Sequence, residues 1–100
     1  MARSEMQINH DMIRYWAGTH NFKISTREDG TTIKITVKFE NVKVFIDVPI
    51  SGIPVYKGME VPDPFAVNEN PALLGDIGWA ASQMGEALPA LKRNLEGFRD

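Results

Sequence analysis

The residues with the widest chemical repertoire in this sequence are few and scattered. There are two histidines, His10 (followed by Asp11) and His20, and no cysteine. A zinc site needs three or four ligands at defined spacings, and neither a His-x-x-x-His motif nor an Asp-rich calcium loop is present. His10, Asp11 and His20 are therefore expected as surface or capping residues. No glycine-rich loop leads from a strand into a helix to cradle a phosphate, and serine-nucleophile motifs are missing. The lack of cysteine excludes thiolate catalysis and a disulfide framework, and it fits a cytoplasmic protein. The expectation is a chain with no metal, no cofactor and no enzymatic activity.

Binding chemistry is better represented. Lys23, Arg27, Lys34, Lys38 and Lys43 alternate with apolar residues, and Phe45 falls out of phase with the apolar set, so it shares the polar face with these cations. An aromatic ring among cations on an open sheet suits single-stranded nucleic acid, whose bases stack on rings while cations follow the phosphates. It suits an acidic protein partner equally, and a solvated face with lysines that discourage edge pairing is the plain alternative. A second group lies in residues 49–71, which hold five of the six prolines. Tyr56, Lys57, Met59 and Phe65 occur there, and Tyr and Met are types enriched at interface cores. Trp79 joins this group: it lies beside a row of small residues, Gly75, Gly78, Ser82 and Gly85, on the back of an amphipathic segment. A third candidate surface is the leucine-rich end of that segment, Leu91, Leu95 and Phe98, which suits contact with a second subunit.

The elements that position these residues follow from periodicity. Phe22, Ile24 and Thr26, then Ile33, Ile35, Val37 and Phe39, then Val42, Val44, Ile46 and Val48 alternate with polar residues, a period of two sustained over three strands. A turn at Glu40-Asn41 sets Val37 opposite Val44, Ile35 opposite Ile46 and Ile33 opposite Val48. A four-residue turn, Glu28 to Thr31, sets Thr26 opposite Ile33, Ile24 opposite Ile35 and Phe22 opposite Val37. Every side chain of this apolar set then falls on one face, with Phe45 alone on the other, which a one-residue slip would destroy. Residues 1–8 read as a loose arm, with Asn9 capping a short helix over 9–17 that Gly18 stops. Residues 50–70 read as a proline-rich loop, with Val55-Tyr56-Lys57 able to form a short edge strand at most. Residues 71–98 read as a helix that Asn70 caps and Pro71 starts, with an apolar seam through Leu74, Ile77, Ala81, Met84, Leu88, Leu91, Leu95 and Phe98. Leu73, Ala80 and Ala87 widen this seam, and Pro89 is expected to kink or split the helix.

The chain has 100 residues and a net charge of −2, the size of one domain with no global attraction to nucleic acid or anionic membrane. The charge is unevenly placed. Residues 21–57 carry six cations against four acids, while 58–91 carry five acids and no cation. No apolar run is long enough to cross a bilayer. The expected architecture is a single α+β domain, α-β-β-β-α, with a three-stranded antiparallel meander and both helices on one face. That order resembles double-stranded-RNA-binding domains, but the basic motif at the start of their second helix has no counterpart among residues 71–91. The leading expectation of function is a non-enzymatic protein-binding module, such as an adaptor, inhibitor or assembly factor, a type common among phage accessory proteins. Its contacts would be Tyr56, Lys57, Met59, Phe65 and Trp79. Single-stranded nucleic-acid binding around Phe45, and assembly as a homo-oligomer through Leu91, Leu95 and Phe98, are the alternatives.

Overall fold

Alternating apolar residues bury one side of a sheet and leave the other to solvent, and residues 21–49 do this as their pattern requires. The computed structural model describes residues 4–61 and 71–99, with side chains for 4–61 and 71–97. Its elements run α1 (Glu5–His20), β1 (Lys23–Asp29), β2 (Thr32–Lys38), β3 (Lys43–Pro49), β4 (Val55–Glu60) and α2 (Pro71–Arg99). The four strands form one antiparallel sheet in the order β1-β2-β3-β4. The α+β class is as expected, but the sheet has four strands where three were expected. Prolines argued against a strand in 50–70, yet Pro54 precedes β4 and no proline lies within it. β4 is also an edge strand, the place where flanking prolines cost no ladder hydrogen bond.

The β2–β3 register matches expectation: Val37 faces Val44, Ile35 faces Ile46 and Ile33 faces Val48. The β1–β2 register differs by two residues. Ile24 faces Val37, Thr26 faces Ile35 and Glu28 faces Ile33. The connection is a two-residue turn, Gly30-Thr31, with Asp29 facing Thr32 and Gly30 at φ 62. Glycine at the first position with positive φ is what a tight II′ hairpin turn requires. A shift of two keeps each side chain on its face, so the apolar pattern could not distinguish the two registers. The consequence is at the ends: Phe22 now lies against Phe39, ring centroids 5.5 Å apart, and Thr26 and Glu28 are exposed.

α1 is longer than expected at both ends. Its N-cap is Ser4, not Asn9, in a reciprocal capping box: Gln7 N–H donates to Ser4 Oγ and Ser4 N–H donates to Gln7 Oε1, each at 3.2 Å. Asn9 lies inside the helix, fully buried, with Nδ2 donating to Pro49 O at 3.2 Å. Gly18 is helical too, and the stop is Asn21, in the left-handed region at φ 58.

α2 runs unbroken through Pro89. The carbonyl that Pro89 leaves without its helical donor belongs to Gly85, an exposed residue that water can serve. Of the expected seam, Met84, Leu91 and Leu95 are buried and Ile77 and Leu88 pack partly buried against the core, but its first and third positions are not covered. Leu73, Ala80, Met84, Ala87, Leu91 and Leu95 are buried, whereas Leu74 and Ala81 are exposed. Small Ala87 lets α1 approach, and the Trp16 Nε1–H donates to Ala87 O at 2.7 Å. One continuous core joins Ile13, Trp16 and Ala17 of α1 with the apolar face of β2 and β3 and with this seam. Among the described residues no helix is long and apolar enough to cross a membrane.

Candidate functional site

Both helices cover the face that carries Ile33, Ile35, Val44 and Ile46, so among the described residues the opposite face of the sheet has no helix over it. Directly paired residues share a face, and the register arranges this open face in rows across the strands. Lys23 faces Lys38, Lys38 faces Lys43 and Lys43 faces Glu60. In the next row Ser25, Thr36, Phe45 and Gly58 stand side by side, and beyond it Arg27, Lys34, Asp47 and Val55. Lys34 Nζ lies 3.5 Å from Asp47 Oδ2, a partly exposed pair of small energetic weight. The basic residues proposed from sequence are therefore brought together on one surface with Phe45, which is half-buried.

Lys57 belongs to this surface and not with Tyr56 and Met59 where the sequence grouped it. A bulge inserts Lys57 as an extra residue of β4, because Ile46 faces Tyr56 and its neighbour Phe45 faces Gly58. Lys57 then lines a groove of about 420 Å³ with Arg27, Lys34, Thr36 and Phe45. The only sequence signal for this was Gly58, which takes φ 134 in the bulged strand.

The remaining residues of the expected protein-binding site do not gather. Met59 is half-buried and packs on the core, which removes it from a partner surface. Tyr56 is 47% exposed on the edge strand. Phe65 lies outside the described residues, as do Pro62, Pro64 and the expected cap Asn70. Trp79 is 61% exposed and shares a groove of about 610 Å³ with His20, Phe22, Lys23, Lys38 and Phe39, among others, but not with Tyr56. Beneath it, Phe22 makes ring contacts with Trp16, His20 and Phe39 at 5.4, 5.2 and 5.5 Å.

The outer side of α2 around Trp79 has an unusual composition. From Pro71 to Gly85 no exposed residue carries a charge; Leu74, Trp79, Ala81, Ser82 and three glycines point outward. Asp76, the one acid in the stretch, is half-buried and accepts a hydrogen bond from Asn41 Nδ2 at 2.8 Å. A Cβ added to Gly75, Gly78 or Gly85 would meet nothing within 4 Å. Among the described residues these glycines therefore admit no close neighbour.

The surface expected for oligomers fares differently. Leu91 and Leu95 are fully buried inside the chain, packed in the same core as Ile13 and Trp16 of α1, so they are not free to meet a second subunit. The side chain of Phe98 lies outside the described ones. Among the histidines, His10 Nε2 is 2.7 Å from Glu28 Oε1 and so links α1 to β1. No three His, Asp or Glu side chains converge as metal ligands among the described residues. No protein-family model matches the sequence, and no curated protein or solved structure matches the chain.

Proposed function

We propose that this chain is a small non-enzymatic protein-binding module of the cytoplasm, acting as an adaptor, inhibitor or assembly factor, and that its partner docks on the outer side of α2 around Trp79. The observation that carries this reading is the uncharged exposed stretch from Pro71 to Gly85 with a largely exposed indole in it. A helix face turned to water alone is ordinarily rich in charge. Tryptophan is also the type most often found at the energetic centre of an interface. Three interior glycines in this stretch each cost about 1 kcal/mol relative to alanine, and none of the described residues occupies the room they leave. A segment of another protein that approaches the helix backbone closely would use that room. Compared with the sequence reading, the proposed contact contracts from the proline-rich segment onto Trp79 and Leu74, with Tyr56 at a separate edge.

The test is affinity capture from the native host with wild-type and Trp79→Ala protein, read by mass spectrometry. The expected outcome is a specific partner that Trp79→Ala loses, with melting temperature and far-UV spectrum nearly unchanged because the indole is exposed. Capture of the same partner by Trp79→Ala and by Leu74→Asp would sink the proposal.

A further inference from the structure

We infer that the open face of the sheet is a second binding surface, whose ligand is single-stranded nucleic acid. The sheet order is the first ground. Lys23, Lys38 and Lys43 face one another directly across three strands, and none has an ion pair among the described residues. Like charges placed directly opposite destabilise a sheet. Lysines that protect against edge pairing belong on edge strands, and this explains Lys23 on β1 but not Lys38 and Lys43, which sit on the two central strands. A bound polyanion removes the conflict.

The rows supply the second ground. Lys23, Lys38 and Lys43 lie on one side of Phe45, and Arg27, Lys34 and the bulged Lys57 lie on the other. Rows two residues apart are roughly 7 Å apart, so the two cationic rows are separated by about 13 Å with the ring between them. Gly58, paired with Phe45, places no side chain over the ring's flank, and its own surroundings are empty within 4 Å of a Cβ. The face holds six cations against Asp29, Asp47 and Glu60, and Lys34 engages Asp47. Cations on both sides of a half-buried ring that lines the groove match a phosphodiester strand that lays a base on Phe45. A duplex keeps the faces of its bases stacked inward, so the match is to a single strand. An acidic peptide would use the cations but has no need of the ring.

The experiment is fluorescence anisotropy of the full chain with a labelled fifteen-residue oligothymidylate, at several salt concentrations. Three further probes are used: an abasic strand of equal length, a duplex and polyglutamate. The oligothymidylate is expected to bind best, with affinity falling as salt rises at about 0.7 in log–log slope per phosphate neutralised. Lys38→Gln should reduce that slope by a similar amount while its unliganded melting temperature stays the same or rises, since it relieves like-charge opposition. Phe45→Leu should weaken oligothymidylate roughly ten-fold and leave the abasic strand unchanged. Three results would overturn the inference: no binding at the lowest salt, polyglutamate binding as tightly as oligothymidylate, or Phe45→Leu without effect on a chain that remains folded.

Discussion

The indole of Trp16 is fully buried, and its Nε1–H reaches Ala87 O at 2.7 Å, so one side chain both fills the space between the helices and satisfies a polar contact there. Trp16→Phe keeps most of the volume but removes the donor. The expected cost is about 1–3 kcal/mol, from the lost hydrogen bond and the space left beside Ala87. Urea titration of the two proteins measures it, and an unchanged midpoint would mean that the contact contributes nothing. Asn9 is a similar case. An asparagine ahead of an apolar run looks like a helix cap, but Ser4 and Gln7 already form the box, and Asn9 turns inward to Pro49 O. The Ser4-Glu5-Met6-Gln7 spacing was a readable signal for that start. No local pattern announces that an asparagine will be buried forty residues away from its partner.

At the scale of elements, α2 shows how little periodicity says about rotation. Both Leu74–Ala81 and Leu73–Ala80–Ala87 repeat at helical spacing, and the second set is the buried one. Close approach to α1 selects it, since Trp16 must fit against Ala87. Glycines on the outside of this helix separate fold from function. Gly78→Ala meets no neighbour and has no positive φ to strain, so it should stabilise the protein by about 1 kcal/mol. For a domain of this size the melting temperature should rise by roughly 4–8 °C. Gly30→Ala, at φ 62 in the β1–β2 turn, should do the reverse. Thermal melts of both variants check the pair. A destabilised Gly78→Ala would mean that the glycine serves the fold, and the proposed partner surface would lose a main support.

The molecule is thin and long, 55 × 24 × 17 Å, because among the described residues one sheet carries helices on one side only and a 29-residue helix spans about 44 Å. Seven-residue strands reach only about 23 Å, so part of α2 extends past the sheet. α1 lies along the C-terminal half of α2, with Trp16 at Ala87 and Met12 and Tyr15 beside Arg93 and Asn94, and Leu91 and Leu95 are core residues there. Leu95→Ala should therefore cost about 2–5 kcal/mol in stability and leave the sedimenting mass unchanged. A change of mass without loss of stability would restore Leu95 to a subunit interface. Since both helices and the sheet share this core, unfolding of the wild-type chain should be a single cooperative transition.

The alternation in residues 21–49 by itself determined that a sheet forms, which side of it is apolar, the β2–β3 register, and the presence of cations and Phe45 together on the other side. Local periodicity sets these because each depends on which of two faces a side chain takes. The tertiary structure decided the two-residue shift of β1, the fourth strand with its bulge at Lys57, the rotation of α2 and the docking of α1 on Leu91 and Leu95. Each of those keeps the local pattern intact, and the choice is made by contacts distant in sequence. The strand order belongs to the same class. It places Lys38 and Lys43 on the two central strands, directly opposite each other, where a lysine cannot serve to guard an edge.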